Sequence, residues 1–140
     1  MLRYRFVPKR DLTPGADEDA KLYFPQLVPG GRVSFDDLCD EVAEESSLTS
    51  GDIKNCLDRF RHCLEKHLLE GRVVELGELG TFRVNLRGTG VSSTEDFDPR
   101  QMMRPPSVQY WMGKRLRHTI RKKAQFEHVK EKSRKVRSKP

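Results

Sequence analysis

The sequence lacks the features of secreted, membrane-spanning and disulfide-linked proteins. No stretch approaches the roughly 18 consecutive apolar residues of a transmembrane helix. The basic segment Met1–Pro8 is not followed by the apolar run of a secretory signal. Three cysteines are an odd number, which excludes a disulfide framework that uses all of them. These absences predict a cytoplasmic protein with no membrane partner.

Motifs for catalysis and metal binding are also missing. The chain has no phosphate-binding glycine loop and no nucleophile motif. Cys63 and His67 are one helical turn apart, but two further ligands at a suitable spacing are absent, so zinc is not expected. Cys39, Cys56 and Cys63 fall on apolar faces of predicted helices and are expected to pack in the core. The sequence thus predicts no enzyme, no metal, no cofactor and no small-molecule substrate.

Charge is abundant and unevenly distributed. Charged residues make up 34% of the chain and hydrophobic residues 35%, which predicts a modest core that a second subunit would help to complete. Met112–Pro140 holds 12 Lys and Arg against 2 Asp and Glu, whereas Met1–Trp111 holds 15 against 19. Segments this basic usually bind an acidic partner such as a nucleic acid, and a solvated tail is the alternative.

Two amphipathic helices are predicted in the first half of the chain. Ser34 and Thr49 are suitable N-caps, each with an aspartate three residues later. Apolar residues follow at helical spacing in segments 35–43 and 53–68, and Gly71 ends the second segment. The short connection between the segments predicts a helical hairpin.

Strand patterns lie on both sides of this hairpin. Segment 2–6 alternates apolar and basic residues, and segment 22–28 is apolar but contains Pro25, which favours an edge strand. After Gly71 the period changes to two, which predicts a β-hairpin over 73–84 and a third strand over 107–111. Leu116, Ile120 and Ala124 then mark a basic last helix.

This order of elements, with its residues, resembles the HU/IHF family of histone-like DNA-binding proteins. The likeness extends from Val33 to about Arg121, and the N-terminal segment Met1–Arg32 is outside it. The opening Tyr4–Val7 instead resembles the HU-related variants of Bacteroides-type bacteria. The residues that carry the family likeness most strongly are Gly77, the run Leu79-Gly80-Thr81-Phe82, and the pair Gly113-Lys114.

The resemblance implies an α+β, IHF-like DNA-binding fold. Its parts would be a helical hairpin, a three-stranded antiparallel sheet with a β-arm, a C-terminal helix and an N-terminal strand extension. The expected divisions are an extension over 1–32, an HU-like DNA-binding domain over 33–125 and a basic, disordered tail over 126–140. The family also implies a homodimer that binds double-stranded DNA in the nucleoid. We expect Phe60, Phe82 and Trp111 in the dimer core.

Basic and amide side chains of the second half are the predicted DNA contacts. Arg83, Asn85 and Arg87 share one strand face, opposite the apolar residues. Lys114 opens the last helix, where its charge and the helix N-terminus both suit a phosphate. The full set of predicted DNA-binding residues is Arg83, Asn85, Arg87, Arg100, Arg104, Lys114, Arg115, Arg117, Arg121, Lys122 and Lys123.

The arm over 88–106 departs from the family pattern. It carries Glu95, Asp96 and Asp98, which repel phosphates, and it lacks the Arg-Asn-Pro triplet that kinks DNA in HU and IHF. We therefore expect the arm to contribute little affinity. Two functions remain open: an architectural DNA-binding protein, and a dimeric interaction or assembly module that has lost DNA binding.

Overall fold

A computed structural model describes residues 1–130 of the chain as a mixed α+β structure. The described residues form two compact units, a central unit over Val33–Arg121 and a terminal unit that joins Met1–Arg32 to residues 122–130. The elements in chain order are β1 (Leu2–Arg10), β2 (Lys21–Leu27), α1 (Phe35–Glu44), α2 (Ser50–Leu69), β3 (Val74–Glu75), β4 (Gly80–Asn85), α3 (Pro99–Met102), β5 (Ser107–Met112), α4 (Lys114–Lys123) and β6 (Phe126–His128).

Each helix of the hairpin in the central unit begins at its predicted N-cap. The Ser34 hydroxyl accepts a hydrogen bond from the Asp37 amide at 3.1 Å. Thr49 and Asp52 form a reciprocal capping box, in which each backbone amide donates to the other side chain, at 3.2 and 3.0 Å. These bonds satisfy amides that have no partner inside the helix. Both predicted caps are confirmed.

The core of the central unit is small. Cys39, Ile53 and Leu68 are the buried hydrophobic side chains among the described residues. Cys56 and Cys63 are exposed, so their predicted place in the core is wrong for the single chain. The physical reason is that the apolar face of α2 is wider than the surface that α1 and the sheet cover within one chain.

The central sheet has the order β3-β4-β5 and is antiparallel throughout, as predicted. Two glycines of the family likeness permit close backbone approaches at its turn. A Cβ on Gly80, whose φ is +132°, would lie 2.1 Å from the Trp111 carbonyl oxygen. A Cβ on Gly113 would lie 2.1 Å from the Glu78 carbonyl oxygen. Only glycine fits at these two positions without moving the strands.

The pairing of β4 with β5 fixes which side chains share a face of the central sheet. Phe82 is opposite Tyr110, and their ring centroids are 5.0 Å apart, whereas Thr81 is opposite Trp111. Because side chains alternate along a strand, the sheet has one apolar and one mainly polar face. The apolar face carries Val74, Phe82, Val84, Val108, Tyr110 and Met112. The polar face carries Glu75, Thr81, Arg83, Asn85, Ser107, Gln109 and Trp111.

The segment between β4 and β5 differs from the predicted β-arm. It contains a 3-10 turn over Thr94–Asp96, the four-residue helix α3 and a single bridge between Gly88 and Met103. The Asp98 side chain accepts a hydrogen bond from the Arg100 amide, and Pro99 occupies the first helical position, which favours a helical turn over an extended strand. The predicted extended arm is therefore wrong for this segment, which folds back on itself.

The terminal unit is a sheet of order β2-β1-β6. β2 is antiparallel to β1 and lies at the edge, as Pro25 predicts, and β6 is parallel to β1. Residues 126–128, which the sequence assigns to a disordered tail, form β6 instead. His128 stacks on Tyr4 with ring centroids 5.2 Å apart, a contact that anchors the strand. The rest of the predicted tail, from residue 131, lies outside the described residues.

Candidate nucleic-acid interface

The polar face of the central sheet carries an arginine held against a tryptophan. The guanidinium carbon of Arg83 lies 4.2 Å from the ring centroid of Trp111. Arg83 Nε also donates to Gln109 Oε1 at 3.4 Å. α2 contacts β3 and β4, and an amphipathic helix packs on the apolar face of a sheet. The polar face, which carries Arg83, is therefore turned away from α2. Arg83 therefore presents a cation on an open sheet surface.

Two of the predicted cations of α4 are engaged within the chain. Arg115 forms an ion pair with Glu78 at 3.0 Å, and both side chains are largely exposed. The Arg117 guanidinium donates to the Met112 carbonyl oxygen at 3.2 Å, at the junction of β5 and α4. The partner Glu78 was not anticipated, because nothing in the local sequence relates it to a residue 37 positions later. Arg115 consequently offers less net positive charge than the sequence suggests.

The remaining cations of α4 extend along the helix. Lys114, Arg117 and Arg121 follow one another at intervals of three and four residues and so share one helix face. Lys122 and Lys123 continue the helix to its end, and all five are exposed. Within residues 1–130, Lys114, Arg121, Lys122 and Lys123 form no ion pair. Lys114, Arg117 and Arg121 thus form a row of exposed positive charge on one helix face, in which Arg117 also donates to the Met112 carbonyl oxygen.

The cations near the arm lie at the opposite end of the central sheet. Arg87 and Arg104 are joined through their backbones, since the Arg104 amide donates to the Arg87 carbonyl oxygen at 2.9 Å. Arg100 is in α3, close in sequence to the acidic turn Thr94–Asp96, and Asn85 ends β4 half-buried. The six residues of β5 separate the two ends by about 17 Å. The predicted DNA contacts therefore form two groups rather than one patch.

The predicted dimer-core residues do not all lie together. Phe60 is exposed on α2, and Phe82 is half-buried against Tyr110. Trp111 is on the other face of the sheet, with Arg83. The sequence did contain the signal for this placement, because Val108, Tyr110 and Met112 alternate with Ser107, Gln109 and Trp111. Sequence reasoning gave more weight to the size and apolarity of Trp111 than to its position in that alternation.

The helical hairpin is acidic, and some of its charged side chains form ion pairs with one another. Hydrogen bonds and charge from Arg59 and Arg61 lower the pKa of Asp58. A hydrogen bond to Asp36 raises the pKa of Lys54, and their side chains are 2.8 Å apart. Both shifts favour the charged forms of these groups. Lys54, Arg59 and Arg61 of the hairpin are therefore paired with acids, whereas within the described residues the cations of the sheet face, the arm and α4 mostly are not.

A metal site and a membrane-spanning helix are not indicated in the part of the chain that the structure describes. Residues 1–130 contain no group of three or more His, Cys, Asp and Glu side chains arranged to hold a metal ion. The same residues include no helix with the length and apolar character needed to span a membrane. The arrangement of exposed cations is the feature that a ligand could use.

A helical hairpin followed by a three-stranded antiparallel sheet and a basic helix is the element order of an HU-related chain. The profile of the HU-HIG family, described as "HU domain fused to wHTH, Ig, or Glycine-rich motif", matches residues 1–128. The chain therefore belongs to this family. The resemblance inferred from the sequence is confirmed, and the match includes the N-terminal segment that lies outside the HU/IHF likeness.

A solved structure supports the same fold. The chain is similar to a candidate bacterial DNA-binding protein from Bacteroides vulgatus ATCC 8482, with a TM-score of 0.66 and 18% sequence identity. The similarity covers 94% of this chain and 50% of that protein, so the chain spans half the length of its structural relative. No curated protein matches the chain.

Proposed function

We propose that the chain is a non-enzymatic, histone-like protein that binds double-stranded DNA with little sequence preference. The observation that carries the proposal is the row of Lys114, Arg117 and Arg121 on one exposed face of α4. Membership of an HU-related family and similarity to a candidate DNA-binding protein support it. The role would be architectural, in the bacterial nucleoid of the cytoplasm.

Cations spaced along a surface are sufficient for binding of this kind. Phosphate contacts provide most of the non-specific affinity and carry no sequence information. Lys114 is in the first turn of α4, where the helix amides add to the attraction for an anion. Arg83 on the sheet face extends the positive surface beyond the helix. The tail from residue 131 adds five further Lys and Arg residues against one acid.

We further propose that the chain acts as a homodimer with an IHF-like arrangement. Phe60 is 45% exposed, and Val108 and Tyr110 on the apolar face of β5 are 56% and 48% exposed. Within the described residues of a single chain, Cys39, Ile53 and Leu68 are the buried hydrophobic side chains, which is a small core for a unit of this size. A second copy that packs its own hairpin on these surfaces would bury them symmetrically.

Sedimentation velocity tests the dimer. We expect a dimer at micromolar concentration, and a monomer for Phe60→Asp because a buried, unpaired carboxylate is costly at an interface. Leu69→Asp is the matched control, since Leu69 is 88% exposed at the end of the same helix. A wild-type monomer at micromolar concentration would contradict the proposed arrangement.

Fluorescence anisotropy with a short duplex between 50 and about 200 mM salt tests DNA binding. If each subunit makes three or four phosphate contacts, a dimer neutralises roughly six to eight phosphates, and the log–log salt slope is roughly −5 to −7. Replacing Lys114, Arg117 and Arg121 by Ala should flatten the slope and weaken binding equally on unrelated sequences. The matched control replaces Lys54, Arg59 and Lys66 of α2, which removes the same charge.

The second candidate function is a dimeric interaction or assembly module without DNA binding. The acidic character of the central unit favours it, because Val33–Arg121 holds 13 Lys and Arg against 15 Asp and Glu. The ion pair between Arg115 and Glu78 and the acids of the arm point the same way. If the wild-type dimer shows no salt-dependent retention of the duplex, this function replaces the first.

A further inference from the structure

Trp111 occupies a position that the core of the central unit does not explain. It is the one tryptophan of the chain, and it lies on the polar face of the central sheet, where its neighbours across and along the strands include Thr81 and Gln109. Its exposed fraction is 43%. A large aromatic side chain on the face turned away from α2 loses the burial that normally favours tryptophan.

The guanidinium of Arg83 lies against the indole ring of Trp111. The guanidinium is 4.2 Å from the ring centroid and is also hydrogen-bonded to Gln109, so an amide holds the cation beside the aromatic ring. Planar guanidinium groups and indole rings both stack on nucleobases, and a nearby cation neutralises the phosphate of the same nucleotide. The pair therefore combines the two interactions by which proteins hold a single unstacked nucleotide.

We propose that Trp111 and Arg83 form a stacking site for an unstacked nucleobase of DNA. The inference rests on the proposed DNA binding and adds to it a contact residue and a class of ligand. In an intact duplex both faces of each internal base are occupied by neighbouring bases, so the site has no base to hold. A bulge, a gap or a single-stranded segment exposes a base face, and there the indole adds affinity that phosphate contacts alone do not supply.

The sole tryptophan makes the contact directly observable. The probes are two duplexes of the same length and sequence, one fully paired and one with a single unpaired adenine, and a third DNA that is the single strand. We expect the unpaired adenine to quench the fluorescence of Trp111 and to protect it from acrylamide, whereas the paired duplex does neither. The bulged duplex should bind at least about 5-fold more tightly by anisotropy, the lower end of the effect of removing one base-stacking aromatic residue.

Variants separate stacking from a structural role of the Arg83–Trp111 pair. Trp111→Leu should bind the paired and bulged duplexes equally, and Trp111→Phe should keep part of the preference because an aromatic face remains. The matched control is Tyr23→Leu, which removes an aromatic side chain that is 66% exposed in the terminal unit and should keep the preference. Thermal unfolding of each variant identifies any loss of fold, and the acrylamide measurement on the wild type needs no variant.

The outcomes distinguish the two proposals. If none of the three DNAs binds, the proposed function fails. If the paired and bulged duplexes bind equally and the fluorescence of Trp111 does not change, DNA binding stands and the stacking site is overturned. Quenching by both the bulge and the single strand supports a site for any unstacked base, and quenching by the bulge alone supports a site that needs duplex on both sides.

Discussion

The two three-stranded sheets of the chain differ in what covers them. The central sheet has α2 against β3 and β4, and Gly80 at its turn is buried. In the terminal sheet no residue of β1, β2 or β6 is buried. Alternation of apolar and polar residues predicted β1 and the strands of the central sheet, and an apolar run predicted β2, whereas β6 was not predicted. The comparison teaches that a residue pattern is sufficient to specify a strand but not a core. The central sheet has a core because α2 of the same chain packs on it, and the terminal sheet has no such helix among the described residues.

The same contrast applies to charge. Both sheets place a cation over an aromatic ring: Arg83 over Trp111, and Lys9 over Phe24 at 5.5 Å. In the terminal sheet the acid Glu127 of β6 lies 3.7 Å from Arg3 and offsets part of the charge. The other face of that sheet bears an open apolar cavity of about 520 Å³, lined in part by Tyr4, Phe6, Leu27 and Phe126. The central sheet is therefore the better candidate for a phosphate partner.

The largest expected effect comes from the turn glycines of the two sheets. Gly80→Ala should destabilise the central unit by at least about 3 kcal/mol, because a positive φ costs roughly 1–2 kcal/mol and the Cβ also meets a backbone oxygen. Gly15→Ala, between β1 and β2, should cost only the first amount, since nothing lies within 4 Å of its Cβ. Urea unfolding monitored by circular dichroism measures both. Equal losses would show that the central turn is not rigid.

Truncation at two points should have an intermediate effect and sharpen the comparison further. Ending the chain after Lys130 removes five Lys and Arg residues and should flatten the salt slope of DNA binding while β1 keeps its protection from amide exchange. Ending it after Ala124 also removes β6, and exchange in β1 should then become faster. The central unit should keep its unfolding midpoint in both truncated proteins. An unchanged salt slope would make the tail a solubility segment.

A smaller effect is expected from cations on the terminal sheet. Replacing Arg3 and Lys9 by Ala should change the salt slope less than replacing any two of Lys114, Arg117 and Arg121, because Glu127 already offsets part of the charge. The measurement is the same anisotropy titration, with the two double variants compared at equal net charge. A larger change for the terminal pair would move the proposed interface to the terminal sheet.

The smallest effect concerns the cap of the helix that covers the central sheet. Hydrogen bonds from Thr49 lower the pKa of Asp52 from its ordinary value of 3.8. A carboxyl with a lowered folded pKa contributes stability above about pH 3.8, and this is lost as the pH falls through the folded pKa. Asp52→Asn should thus reduce the difference in unfolding free energy between pH 7 and pH 2.5, measured in urea. An unchanged difference would mean that the carboxylate does not stabilise the cap.

Local interactions explain which parts of the fold could be predicted. The caps at Ser34 and Thr49 act over three residues, so the sequence contains the whole interaction. The pairing of Glu78 with Arg115 and of β1 with β6 joins residues far apart in the chain, and no local pattern encodes them. The helical turn at Asp98-Pro99 had a recognisable signal, but the family likeness favoured an extended arm.

The candidate site was predictable to a similar extent. Residue type was sufficient to identify the exposed cations of α4, because a helix this rich in Lys and Arg has few ways to bury them. The face on which Trp111 lies could have been predicted from the two-residue alternation of β5, had that alternation been given more weight than the size of the side chain. The ion pair between Arg115 and Glu78 could not be predicted without the structure, because it depends on the close approach of Gly113 to Glu78.

The parallel pairing of β1 with β6 has a consequence for the order in which the chain folds during synthesis. β1 leaves the ribosome more than 100 residues before its partner β6, which spans residues 126–128. At about 5–20 residues per second, roughly 6 to 24 s separate the two strands. Meanwhile β1 has only β2 as a partner, and an isolated two-stranded hairpin is marginally stable in water. The central unit is continuous in sequence and is synthesised in full before β6, so β1 acquires its final partner only after the central unit is complete.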